Sequence, residues 1–224
     1  MKTTPTDALP EVWQALGETV LMVGVASVCT VLIGTLVGVL FVLTGSGGLW
    51  RQPVINTVLG MVINIGRSLP FIILLIVVIP VTRLIAGTAI GPVAAIVPLT
   101  LGSVPFFARV VETALREVSR GKVEAAQGMG ATRGDIVLKV LLPEAAPGLV
   151  AGITLTVVML IGFSAMAGTI GGGGLGDFAL RYGYQRFNTP VLLIAVVVLI
   201  VLVQGIQSLG DLLVRRLAHR RSTA

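Results

Sequence analysis

The run Val20–Leu43 carries 24 residues without a charge. Coiled as a helix it is roughly 36 Å long, enough to cross the hydrocarbon of a bilayer. Further apolar blocks follow at 54–81, 91–111, 147–168 and 191–214. Only 12% of the residues are charged and 55% are hydrophobic, with a mean hydropathy of +1.00, whereas a soluble domain is about a quarter charged. Blocks of this length mean helices, because barrel strands show ten-residue alternation with polar inward positions. The expected fold is an all-α integral membrane protein with five transmembrane helices.

Segment 1–19 lacks the basic-then-apolar layout of a cleavable signal peptide. Its mixture of Glu11, Trp13 and Glu18 suits an interfacial segment with Trp13 at headgroup level. In the first span, the lone Cys29 rules out an intrachain disulfide and reads as a small packing residue. Gly24, Gly34 and Gly38 include a small-xxx-small pair that allows close helix approach. A glycine-rich loop with Arg51 leads to block 54–81, which Arg67, Ser68 and Pro70 interrupt. Two geometries fit: one long helix, or a membrane-edge helix ending near Gly66 and a shorter span restarting at Ser68. In both, an arginine beside hydrocarbon costs on the order of 3 kcal/mol unless paired. Arg67 therefore faces protein or water, either bonding backbone carbonyls or lining a translocation path. Asn64 and Ser68 join it as path candidates, since polar groups within a span need partners.

Residues 81–90 read as a loop with Arg83, and the third span, 91–111, is softened by Pro92, Pro98 and Pro105, plausible hinge points. Arg109, Glu112 and Arg116 follow at helical spacing, as exposed charge pairs. The fourth span ends in GFSAMAG, where Ser164 suits close packing or gating. Residues 169–188 hold four consecutive glycines but neither a Gly-Lys-Ser/Thr ending nor a preceding soluble strand, so nucleotide binding is rejected. They read as a flexible turn with Tyr182, Tyr184 and Phe187 as interfacial aromatics. A basic tail, 215–224, follows the fifth span.

Between the third and fourth spans lies the longest run of mixed polarity, EAAQGMGATRGDIVLKVLLP at Glu124–Pro143. Glu124 to Met129 is helix-compatible, Gly130 supplies a turn, and Thr132 with Asp135 fits a capping-box start. Ile136, Val137, Val140 and Leu141 fall on one helical face, and Pro143 closes the segment. The product is a small knob with a flat alanine surface. On residues alone it could also be an ordinary amphipathic hairpin between two helices. The order Glu-Ala-Ala, glycine six residues after the glutamate, then Leu142-Pro143, resembles the coupling loop of the membrane subunits of ABC importers. One position departs, Val140, where that family usually has isoleucine.

Five spans put the two ends on opposite sides, and the positive-inside rule chooses between the placements. With the N-terminus outside, the inner side holds Arg51, Arg116, Arg120, Lys122, Arg133, Lys139, Arg215, Arg216, Arg220 and Arg221, against Lys2, Arg83, Arg181 and Arg186 outside. Ten against four favours N-out and C-in, with the knob in the cytoplasm. This topology also accounts for the net charge of +6 without invoking nucleic acid.

Enzyme chemistry finds no footing. The single histidine, His219, lies in the tail, so Ser164 has no base in the membrane, and there is no His or Cys cluster for a metal. A proton- or sodium-coupled carrier is opposed by the lack of Asp or Glu in any span interior and of paired repeats. Energy then enters through an exposed knob that lies in a partner's groove.

Beyond the knob, RSLPF (67–71), GTAIGPVAAIVPL (87–99), PFFARVVE (105–112) and GGGGLGDFALRYGYQRF (171–187) are similar to the permease subunit of the methionine-uptake group of ABC importers. The likeness implies a type I importer permease fold in a bacterial cytoplasmic (inner) membrane, with 116–143 as the cytoplasmic coupling loop. It implies a homodimer of this chain, two copies of a cytoplasmic ABC ATP-binding subunit carrying ATP and Mg, and an external methionine-binding lipoprotein. No cofactor or metal is expected in the chain itself. Glu124, Ala125, Ala126, Gly130, Leu142 and Pro143 become the coupling residues. Phe163 and Met166 become candidates for a gate at the dimer axis, although core filling suits an adaptable thioether equally well. Another small amino acid or a dipeptide remains an alternative cargo, because specificity can reside in the external binding protein.

Overall fold

In the computed structural model of the chain, residues 9–222 are described, with side chains as far as residue 217. Residues 1–8 with Lys2, the side chains of His219, Arg220 and Arg221, and the end of the basic tail lie outside the described residues. Every regular element among those described is helical: α1 (Leu9–Thr44), α2 (Pro53–Ser68), α3 (Phe71–Val77), α4 (Ile79–Ala86), α5 (Pro92–Arg116), α6 (Arg120–Gly128), α7 (Arg133–Asp135), a π-helical turn (Ile136–Leu141), α8 (Leu142–Gly168), α9 (Gly174–Phe178), a second π-helical turn (Ala179–Tyr184) and α10 (Thr189–Ser222). Four stretches are long and apolar enough to cross a membrane, Leu9–Thr44, Pro92–Arg116, Arg133–Gly168 and Thr189–Leu217, and α2 with α3 makes a fifth if the pair counts as one span.

Several boundaries differ from expectation. No separate interfacial helix precedes the first span; Pro10–Gly17 forms the first turns of α1. Block 54–81 takes the broken geometry, with the interruption at Leu69–Pro70 and a bend of 107° between α2 and α3. The residue before a proline is driven out of the α region, so α2 has to stop there. Residues expected as a loop after position 81 continue helically to Ala86. Pro98 and Pro105 leave α5 unbroken to Arg116. Pro143 does not close the knob: it comes just after the π-helical turn Ile136–Leu141, where the regular ladder is already interrupted, and Arg133–Gly168 runs on through it as one 36-residue helix.

The chain divides into two compact units. One takes the stretch up to Cys29 with Leu69–Ser103 and Thr156–Ser208. Its core gathers Met22, Phe71, Leu75, Leu99, Leu160 and Ile161, with Phe163 stacked on Phe71 at 4.0 Å between centroids. The glycine run of this unit is no flexible turn. The Glu18 carboxylate accepts from the Gly174 N–H at 2.8 Å, and the Thr19 hydroxyl accepts from the Leu175 N–H at 2.9 Å. Side chains of α1 thus cap the start of α9, whose Leu175 and Phe178 pack on Val12, Ala15, Val191 and Ala195.

The other unit takes Thr30–Ser68, Val104–Leu155 and the stretch from Leu209. Here the small residues of the first span do what their spacing promised, since a Cβ on Gly38 would meet the Ala108 carbonyl oxygen and Val111 Cβ at 2.7 Å. The loop after α1 is pinned as well, by Asn56, which donates to the Phe41 carbonyl at 2.7 Å and to Thr44 Oγ1 at 3.2 Å.

Candidate functional site

The knob is built from α6, a tight corner and α7. Met129 ends α6, and Gly130 reverses the chain with φ 80°. Thr132 then starts α7 with a capping box: its hydroxyl accepts from the Asp135 N–H at 3.2 Å, and the Asp135 carboxylate accepts from the Thr132 N–H at 3.3 Å. Lys139 adds an ion pair to Asp135 at 2.6 Å. The hydrogen bond from Lys139, then that from Thr132, then the lysine charge lower the Asp135 carboxyl to about 2, and Asp135 raises the Lys139 ammonium in return.

Below the corner the π-helical turn adds the fraction of a turn that brings Ile136 and Leu141 onto one buried face, with Ala126, Phe107, Val111 and Ala145. Lys122 ties α6 to Glu144 of α8 at 2.8 Å. The six expected coupling residues therefore separate. Glu124 and Ala125 are exposed, Ala126 is 4% exposed and belongs to the core, Gly130 forms the corner, Leu142 is half-buried and Pro143 is exposed. Sequence reading missed Met129 and Leu138, which stand 82% and 67% exposed on a polar knob. Both are large apolar side chains that nothing within this chain covers. Met129 beside the Gly130 corner was the available signal. Glu124 also borders a cavity of about 460 Å³, together with Gly48, Arg116, Arg120 and Gln127.

A second cluster forms at the end of α2. The Asn64 side-chain oxygen accepts from Arg109 Nη2 at 3.0 Å, and Ser68 Oγ donates to the Asn64 carbonyl at 2.8 Å. Arg109 also pairs with Glu112, which holds Arg116 at 2.9 Å, and its guanidinium lies over the Phe41 ring at 5.2 Å. Glu112 is 7% exposed. The expected row of exposed charge pairs is in fact a carboxylate shut in between two arginines, because α5 packs its Glu112 face inward with Phe107, Ala108 and Val111. Gly66 makes the meeting feasible: a Cβ there would fall 2.5 Å from Pro105 Cγ, so only glycine lets α2 lie this close to α5. Arg67 is exposed beside it. Arg109 is thus the residue that Asn64 was lacking, and nothing in sequence spacing links positions 45 apart.

The gate candidates belong to the other unit. Phe163 is half-buried in its stack on Phe71, while Met166 is 45% exposed. Ser164 is buried and donates to the Ile161 carbonyl at 2.8 Å, which fits close packing. Among the described residues no group of three His, Cys, Asp or Glu is placed to hold a metal.

Residues 30–222 match the family described as binding-protein-dependent transport system inner membrane component. The chain is 53% identical over 206 residues, 92% of each chain, to a protein of Vibrio cholerae named probable D-methionine transport system permease protein MetI. It is 44% identical over 209 residues, 93% of this chain and 94% of the relative, to the methionine import system permease protein MetP of Bacillus subtilis. Its fold superposes with a TM-score of 0.90, at 47% identity and covering 92% of this chain and 95% of the other, on a chain from inward-facing conformations of the MetNI methionine ABC transporter.

Proposed function

The chain belongs to the family of binding-protein-dependent transport system inner membrane components, and on that premise we propose that it is the membrane-spanning permease through which an ATP-driven importer moves methionine. The observation that carries this reading is the end-to-end likeness, in sequence and in fold, to methionine permeases. The chain is a transporter subunit of an inner membrane rather than an enzyme, and ATP hydrolysis belongs to a separate chain.

In the working assembly two copies of this chain form the membrane part. Two ABC ATP-binding subunits, carrying ATP and Mg, sit beneath them, an external methionine-binding lipoprotein delivers the cargo, and lipid surrounds the spans. The excess of basic residues on one side supports an outside N-terminus and a cytoplasmic C-terminus. The knob is the coupling element. Glu124, Ala125, Met129 and Leu138 offer the surface that a groove on the ATPase covers, Gly130 sets its corner, and Ala126, Leu142 and Pro143 fasten it to the helices behind. Closure of the ATPase pair pulls on the knob, and Arg133–Gly168, being one helix, carries that movement toward Phe163 and Met166, the proposed gate.

Co-expression with ATP-binding subunits, purification in lipid and measurement of methionine uptake with the binding protein test the reading. Uptake should require ATP and should vanish in Ala125→Glu while the helical content stays unchanged, because a charged, bulky side chain prevents seating. Methionine uptake that follows an ion gradient without the ATPase would overturn it, and uptake restricted to another amino acid or a dipeptide would move the cargo but keep the mechanism.

A further inference from the structure

Arg67 and Arg109 border one open groove of about 340 Å³ between α5 and α8, with Phe106, Val110, Ala151 and Leu155 along its wall. Among the described residues Arg67 has no ion-pair or hydrogen-bond partner, and Arg109 Nε, closed off from solvent, has none either. Two guanidinium groups on a groove whose other polar side chains are Thr113 and Glu117 are costly beside a membrane unless an anion completes them. Glu112 offsets only part of this charge, since it is shared between Arg109 and Arg116. Building on the import reading above, we infer that this groove is a carboxylate-binding station for the transported amino acid.

The carboxylate pairs with the planar guanidinium of Arg67, and a thioether-sized side chain lies along Val110, Ala151 and Leu155. Arginine suits the task because its fork grips a carboxylate through two parallel hydrogen bonds. A carboxylate at the groove, Glu117, stands just past the end of α5, eight residues beyond Arg109 and about 12 Å further along the chain at helical rise. In the proposed pose the ammonium of the same molecule stays toward the open mouth in water. Having one charged anchor and no partner for the ammonium keeps the hold weak, as a path that must release its cargo requires.

Saturation-transfer NMR on the methionine methyl group tests this, using the whole complex with its ATPase subunits in phosphatidylcholine nanodiscs, without binding protein or nucleotide. The quantity read is the part of the signal that depends on Arg67. R67A should weaken binding about tenfold, the worth of one charge-assisted hydrogen bond, with partial recovery in R67K. A151F, which fills the groove without touching the charge, should remove the same component. Methionine amide, which lacks the carboxylate, should show none of it. Equal signals in wild type and R67A, a wild type with no signal, or an amide that behaves as methionine does would each overturn the proposal. Loss of the component in phosphatidylglycerol nanodiscs would assign the groove to a net-anionic lipid headgroup and overturn it too. ATP-driven uptake by the wild-type complex, measured alongside, separates the two levels: uptake without Arg67 dependence removes this station alone, and absence of uptake removes the import reading itself.

Discussion

Gly130 holds the corner of the knob at φ 80° with open space where a Cβ would point, so the backbone angle alone disfavours other residues there. A left-handed L-residue costs about 1–2 kcal/mol. Gly130→Leu should therefore leave the spans folded but tilt Ala125 and Met129 away from their partner, and substrate-stimulated ATPase activity of the assembled complex should fall several-fold; unchanged activity would remove the knob from coupling. Asp135 supplies a second test at this scale. Its carboxyl titrates at about 2 in the folded chain against an ordinary 3.8, so its support of the corner is complete above the ordinary value and is lost as pH falls through 2. From the lysine side, whose pKa is raised, the same pair is intact below 10.5 and fails only at higher pH. Hydrogen-exchange protection of the amides in 136–141, corrected for intrinsic rates, should drop between pH 4 and 2 in the wild type. In Asp135→Asn it should already be low at neutral pH, with no further drop in that window.

At the scale of elements, the contact of α1 with α9 shows how a glycine-rich stretch becomes a fixed part. The first amides of α9 have no partners within their own helix, and Glu18 and Thr19 accept from two of them. Thr19 is wholly buried, so Thr19→Val leaves the Leu175 N–H without an acceptor. The loss should be about 1–3 kcal/mol, read as a lower melting temperature of the purified protein. Thr19→Ser keeps the oxygen and should lose much less. The short helix was not legible beforehand because its caps lie 156 residues away in the chain. Glycine runs announce close approach or turning, and only the packed partner says which. The start of α7 was legible, by contrast, because Thr132 and Asp135 are three residues apart and satisfy each other locally.

For the whole molecule, the asymmetry of basic residues predicts which loops face the cytoplasm. In a variant with Cys29 replaced, a cysteine at Thr88 should react with an impermeant maleimide in intact cells. A cysteine at Ser119 should react only after the membrane is opened. The reverse pattern would put the knob outside and end the coupling model.

Composition and block length alone determined the solvent, the helical class and the approximate places of the spans, because an apolar run of twenty residues has few other stable fates. The knob too was readable in outline, since a glycine turn and a capping box are local devices. Tertiary structure decided the rest. It turned Ala126 inward and left Ala125 out, enclosed Glu112 between two arginines and set Asn64 against Arg109. Each of these depends on which face of one helix another helix covers. That choice is made by shape at close approach, where a missing Cβ on Gly66 counts for more than any pattern along the chain.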